Sequence, residues 1–97
     1  MDAIFIVKKV GELTGVQLPN GDSIDKRTVV LTTRECRIGE NGVYAHEQDF
    51  VVDILGDRAR CFLLKEQTWI VATLSFSYRI NGDKYYPEIK LVRYCEI

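Results

Sequence analysis

The chain has 97 residues, a formal net charge of −1 and an apolar fraction of 46%. That length fits one domain with a modest core, and the composition excludes a disordered chain. A near-zero net charge also excludes nucleic-acid binding through bulk basicity, so any such activity needs a locally basic face.

Residues 3–18 form the first strand-like segment, with Ile4, Ile6, Val10, Leu13, Val16 and Leu18 as its apolar positions. Gly11 and Gly15 interrupt it, and glycine inside a strand signals a bulge or a bend. A long, bent first strand that serves two sheets is what a small closed barrel requires. Pro19-Asn20-Gly21-Asp22 then reads as a tight turn. Residues 24–33 are rich in β-branched side chains: Ile24, Thr28, Val29, Val30, Thr32 and Thr33. The polar stretch 34–48, with Gly39 and Asn41-Gly42, is expected to be a long hairpin loop. Residues 49–55 alternate Phe50, Val52 and Ile54 against Val51, Asp53 and Leu55.

Gly56-Asp57 ends that segment. Asp57 is expected to cap a short helix, carried through about residue 65 by Ala59, Phe62 and Leu63 at helical spacing. Residues 68–80 show the clearest alternation in the chain. Ile70, Ala72, Leu74, Phe76, Tyr78 and Ile80 face one way, toward a core, and Trp69, Val71, Thr73, Ser75, Ser77 and Arg79 face the other. Asn81-Gly82-Asp83 is a hairpin turn, and residues 84–96 place Ile89 and Leu91 opposite Glu88, Lys90 and Val92. Phe50, Phe62, Phe76 and Tyr78 are assigned to the core. The order is three strands, a short helix and two strands. It predicts a single all-β domain over residues 1–97, a five-stranded OB-fold barrel with one short helix between strands three and four. An SH3-like barrel usually lacks that helix, and a sandwich needs about seven strands.

No apolar run reaches the roughly 20 residues of a bilayer span. Residues 3–7 are too short for a signal-peptide core and lack its flanks. A cytoplasmic protein without membrane contact is expected. Cys36, Cys61 and Cys95 are odd in number and widely spaced, and His46 is the only histidine. These match neither a disulfide framework nor a zinc site, so reduced thiols, no metal and no cofactor are expected. A single histidine, with no phosphate-binding glycine motif, gives no catalytic constellation, and no enzyme is expected. A small core gains margin from association, and a homo-oligomer, dimer or tetramer, is expected.

Ile4-Phe5-Ile6-Val7, Gly11-Glu12-Leu13-Thr14, Pro19-Asn20-Gly21 and the run from Thr28 to Thr32 form one set of marks. Residues 50–57, the helix through Lys65, Ser77-Tyr78-Arg79, Asn81-Gly82 and Tyr85-Tyr86 form another. Together they resemble the bacterial single-stranded DNA-binding proteins and their OB-fold relatives. Residues 49–97 are also similar to a compact OB-type family of Bacteroidetes-like genomes, through Gly56-Asp57, Leu74-Ser75-Phe76 and the Asn-Gly turn flanked by Tyr-Tyr. The resemblance implies a non-enzymatic barrel that binds single-stranded DNA, or RNA, with little sequence preference, in replication or recombination. Two departures go with it. The family's acidic docking tail has no counterpart in residues 1–97, and Leu55 stands where the family commonly presents an outward tryptophan on its third strand.

Single-strand binding needs cations for the phosphates and aromatic faces for the bases on one surface. Arg79, Lys84, Tyr85 and Tyr86 supply both, and one of the two tyrosines must face outward. The stretch 34–48 adds Arg34, Arg37, Tyr44 and His46, opposed by Glu35, Glu40 and Glu47. The expected nucleic-acid-binding set is Arg34, Arg37, Tyr44, Arg79, Lys84, Tyr85 and Tyr86. Lys26-Arg27 with Lys8-Lys9 is a weaker basic stripe. Trp69 reads as a stacking platform, a barrel plug or an interface residue. The alternative to nucleic-acid binding is a protein-interaction or assembly module on the same barrel.

Overall fold

The computed structural model describes all 97 residues. Its elements are β1 (Asp2–Val10), β2 (Thr14–Gln17), β3 (Ser23–Gly39), β4 (Gly42–Leu55), α1 (Asp57–Arg60), β5 (Trp69–Asn81) and β6 (Lys84–Glu96). β1 divides its pairing between two strands. Asp2 through Ile6 run antiparallel to β5, and Ile6 through Val10 run antiparallel to β3. The ladder continues β5–β6, β6–β4 and β4–β3, so the sheet closes on itself, and β2 extends it beside β3. β1 and β2 are therefore the two halves of one bent first strand, and the barrel has five strands. β4 and β6 are parallel and meet at a single pairing, Asp53 with Lys90. A parallel closure between the third and fifth strands is the Greek-key order of the OB fold.

The bend lies at Gly11, as its glycine predicts. The Gly11 amide donates to the Thr28 carbonyl at 2.9 Å, and a Cβ at Gly11 would sit 2.6 Å from that oxygen. Only glycine allows that approach. The Arg27 guanidinium clamps the same region, donating to the carbonyls of Gly11 (3.0 Å) and Ala59 (2.9 Å).

The core is built from Phe5 and Val7 of β1, Val29 and Leu31 of β3, and Phe50, Val52 and Ile54 of β4. Ile70, Ala72 and Leu74 of β5 and Leu91 of β6 complete its walls, with Phe62 as a plug. Five expectations change. In the first strand Phe5 and Val7 point inward, while Ile4, Leu13, Val16 and Leu18 are exposed. A run of five apolar residues, 3–7, has no period that selects a face. α1 is a single turn that ends at Arg60 and does not reach residue 65. Asp57 does not cap it: Gly56, at φ +75°, precedes the turn and offers no side chain, and the Asp57 carboxylate pairs with Arg60 instead. Phe62 owes its apolar character to burial against Tyr94, with ring centroids 5.2 Å apart, and not to a helix.

The stretch 34–48 is not a loop. β3 and β4 stay paired from Lys26–Leu55 out to Gly39–Gly42, leaving only Glu40 and Asn41 as the turn. Finally, Phe76, Tyr78 and Ile80 are exposed, because β5 runs on beyond the barrel as a hairpin with β6. Two ribbons thus project from the barrel. They account for a radius of gyration of 15.8 Å, where a compact chain of this length has roughly 12–13 Å.

Candidate nucleic-acid interface

Directly paired residues of an antiparallel ribbon share a face. In the β5–β6 ribbon Arg79 lies opposite Tyr86, Asn81 opposite Lys84, Ser77 opposite Glu88 and Ser75 opposite Lys90. The other face pairs Phe76 with Ile89, Tyr78 with Pro87 and Ile80 with Tyr85. Arg79, Lys84 and Tyr86 are therefore brought together, and Tyr85 is on the reverse side. The Arg79 guanidinium lies 5.5 Å from the Tyr86 ring centroid, within cation–π range. Its Nε is 3.6 Å from Glu88 Oε1, so the arginine is held across the ribbon.

The cationic face runs down onto the outer wall of the barrel. There Val16, Lys26, Asp53, Leu55, Arg79, Glu88 and Lys90 line a shallow depression of about 250 Å³. Its floor comes from β3, β4 and β6, its rim from β2 and the base of the β5–β6 ribbon. Three cations face two carboxylates. Lys26 pairs with Asp53 at 3.8 Å and Arg79 with Glu88, while Lys90 has no carboxylate within ion-pairing distance. Leu55, 40% exposed, adds an apolar surface to the lining.

The β3–β4 ribbon is built differently. Arg34 donates from Nε (3.1 Å) and Nη2 (2.8 Å) to one oxygen of its cross-strand partner Glu47. Arg37 sits 3.6 Å from Glu35 and directly opposite Tyr44, whose ring lies over Gly39. Arg37 and Tyr44 share one face of this ribbon, and Arg34 is on the other. Because β4 and β6 pair only at Asp53–Lys90, Arg34, Arg37 and Tyr44 are not brought against Arg79, Lys84 and Tyr86.

The stripe of Lys8-Lys9 with Lys26-Arg27 is likewise divided. Lys8 Nζ is 2.7 Å from the Asp49 carboxylate. That hydrogen bond and the opposite charge hold the Lys8 ammonium above its ordinary pKa and the Asp49 carboxyl below its own. Arg27 is engaged by backbone carbonyls, and only Lys26 reaches the depression. Lys26 as a site residue, Lys90, Leu55, Val16 and the two carboxylates Asp53 and Glu88 are the members of this surface outside the expected set. The signal for Lys90 lay in the alternation of residues 84–90, which puts Lys84, Tyr86, Glu88 and Lys90 on one face. Trp69 is half exposed on the outer side of β5, opposite Ile6, and is not part of the lining of the depression. No group of His, Cys, Asp and Glu side chains is arranged to hold a metal ion. No helix is long and apolar enough to cross a membrane.

The fold matches known structures. A small single-stranded DNA-binding protein from Streptomyces coelicolor is similar over 100% of this chain and 92% of its own, with a TM-score of 0.58 and 13% identity. The chain has the fold of the bacterial single-stranded DNA-binding proteins. A second such protein, from Thermus aquaticus and solved as a deletion mutant, matches over 99% of this chain with a TM-score of 0.64 and 16% identity. This chain spans 49% of the Thermus protein's length. No protein-family model and no curated protein sequence matches it.

Proposed function

We propose that the outer face carrying Lys26, Leu55, Arg79, Lys84, Tyr86 and Lys90 binds single-stranded DNA without catalysis. One observation carries this reading. The convergent cations and the Tyr86 ring lie on the wall of strands two and three and at the four–five hairpin, where OB barrels take oligonucleotides. The name shared by both structural neighbours supports the same ligand. Tyr86 supplies a stacking face worth about 1–3 kcal/mol per base. The cations track phosphates and make the affinity salt-dependent, and Asp53 and Glu88 keep it modest. Transient single strands in replication or recombination fit such a site.

The test is a fluorescence-anisotropy titration with labelled oligo-dT at two salt concentrations. Four phosphate contacts, from Lys26, Arg79, Lys84 and Lys90, give a slope of about −3 in log affinity against log salt, at about 0.7 per contact. Binding that ignores salt, or no binding at low salt, overturns the reading.

A second reading, assembly, has its own observation. Ile4, Trp69, Val71 and Ile97 are exposed together on the outer side of β1 and β5, away from the cations. Self-association through this strip would give a homo-oligomer that leaves the cationic face open. Trp69→Glu, followed by light scattering, tests it; an unchanged mass sets the strip aside.

A further inference from the structure

The cationic face holds one group that phosphates do not call for. Glu88 shares that face with Arg79, Lys84, Tyr86 and Lys90, and a carboxylate there repels a nucleic-acid backbone. Its side chain is 29% exposed, the least of any ion-paired carboxylate in the chain. Yet the one cation within ion-pairing distance, Arg79 Nε, stops 3.6 Å from Oε1, too far for an N–H···O bond. A carboxylate placed only to hold an arginine bonds it, as Glu47 bonds Arg34 at 2.8 Å. The other acid of the depression, Asp53, is engaged: it accepts from Thr28 Oγ1 at 3.0 Å and pairs with Lys26. Glu88 is the acceptor left over.

Register fixes what lies beside it. Tyr86 and Glu88 are same-face neighbours on β6, about 7 Å apart along the strand. Arg79 touches both, 5.5 Å from the ring centroid and 3.6 Å from the carboxylate. Lys90 comes next on the same face, with no carboxylate of its own. An aromatic ring, a free acceptor and a free donor therefore follow one another along the strand.

We propose that these three groups form a guanine-selective subsite, in which the base stacks on Tyr86 and its edge meets Glu88. The proposal rests on the reading that this face binds single-stranded DNA. An ionised carboxylate only accepts hydrogen bonds, through two oxygens. Guanine alone sets two donors side by side, N1–H and the N2 amino group, with the O6 acceptor next to them for the Lys90 ammonium. Thymine offers one N3–H between two carbonyl oxygens, which a carboxylate repels. Adenine and cytosine each set a single amino donor beside an unprotonated ring nitrogen. The guanine edge is free for such a contact only when the strand is unpaired.

Anisotropy competition with short strands tests it. An all-dT strand of about eight nucleotides is compared, at one salt concentration, with the same strand carrying a single central dG. The dG should tighten binding about tenfold, as one bidentate base contact does. Deoxyinosine in its place keeps N1–H but lacks the amino group, and should return most of that gain. Glu88→Gln puts a donor beside the acceptor. It should bind all-dT more tightly than wild type and favour dG by less than about twofold. Equal wild-type affinity for the two strands overturns the proposal and leaves the DNA-binding reading standing. So does deoxyinosine that matches dG, or a Glu88→Gln variant that tightens on both strands alike and so makes the carboxylate a mere offset to the cations. Failure of every strand to bind overturns the DNA-binding reading, and this proposal with it.

Discussion

The two ribbons that leave the barrel have similar secondary structure and opposite chemistry. The β3–β4 ribbon is exposed on both sides, with Cys36, Ile38, Val43 and Ala45 toward the tip of one face, and spends its cations internally, Arg34 on Glu47 and Arg37 on Glu35. The β5–β6 ribbon sorts its side chains by face, with Arg79, Lys84, Tyr86 and Lys90 on one and an apolar set on the other. The lesson concerns available charge. Both ribbons carry arginine and tyrosine at their tips, but only the second presents cations in excess of the carboxylates that share their face. Counting basic residues along the chain treats the two alike, whereas register separates them.

The largest expected effect lies where both ribbons join the barrel. Phe50 stacks edge-on against Phe5 at 5.7 Å and against Phe76 at 6.2 Å. Phe50 is buried at the root of the β3–β4 ribbon, and Phe76 is half exposed at the root of the other. Phe50→Ala should cost about 3–5 kcal/mol in denaturant unfolding. Phe76→Ala loses mainly one edge-to-face contact and should cost about 1 kcal/mol. Equal losses would mean that the β5–β6 ribbon is anchored as deeply as its neighbour, and the contrast between a buried and a marginal root would fail.

The next effect is on binding. Arg79→Ala should weaken oligo-dT affinity about tenfold, or ~1.4 kcal/mol, and lower the salt slope by about 0.7. Arg34→Ala should leave both within error, because Glu47 already holds that guanidinium. An Arg34 effect equal to that of Arg79 would show that the cross-strand ion pair opens for ligand, and the site would have to include both ribbons.

Much of the barrel was legible from the chain. The strand order, the bend at Gly11 and the Asn-Gly turns were all carried by local chemistry that tertiary contacts did not override. The β3–β4 ribbon was not legible, because hydrophobic alternation exists only where one face of a strand is dry. From Arg34 to Gln48 both faces are wet, and the ladder rests on backbone pairing and ion pairs. Phe76, Tyr78 and Ile80 misled in the opposite sense. Their alternation continues that of Ile70, Ala72 and Leu74, but the barrel ends before they do. The candidate site at 79–86 was legible as a cluster of basic and aromatic residues, but not which of them share a face. Tyr85 and Tyr86 look equivalent until Arg79 is seen to pair with Tyr86, and Lys26 and Lys90 join only through the parallel meeting of β4 with β6.

The smallest effect tests whether the base of the β3–β4 ribbon is electrostatic at all. Asp49 lies where β4 enters the barrel, and its carboxyl is held below its ordinary pKa of about 3.9 by Lys8. A depressed acid contributes stability that is present above that ordinary value and is lost as pH falls through the folded one. Lys8, held above its ordinary value, contributes below that value and loses its contribution as pH rises through the folded one. Both windows therefore lie outside neutral pH, and the pair is about half exposed, so the effect is screened by salt. Asp49→Asn should leave a thermal midpoint that falls less steeply than wild type below about pH 4, with the difference shrinking as salt is added. Variant and wild type should be closest in slope near neutrality, where both partners are fully ionised in the wild type. Parallel acid limbs would mean that the ribbon's base is held by its backbone ladder alone. The β3–β4 ribbon would then owe its order to pairing with the barrel wall, and its ion pairs would serve only to keep its cations from ligand.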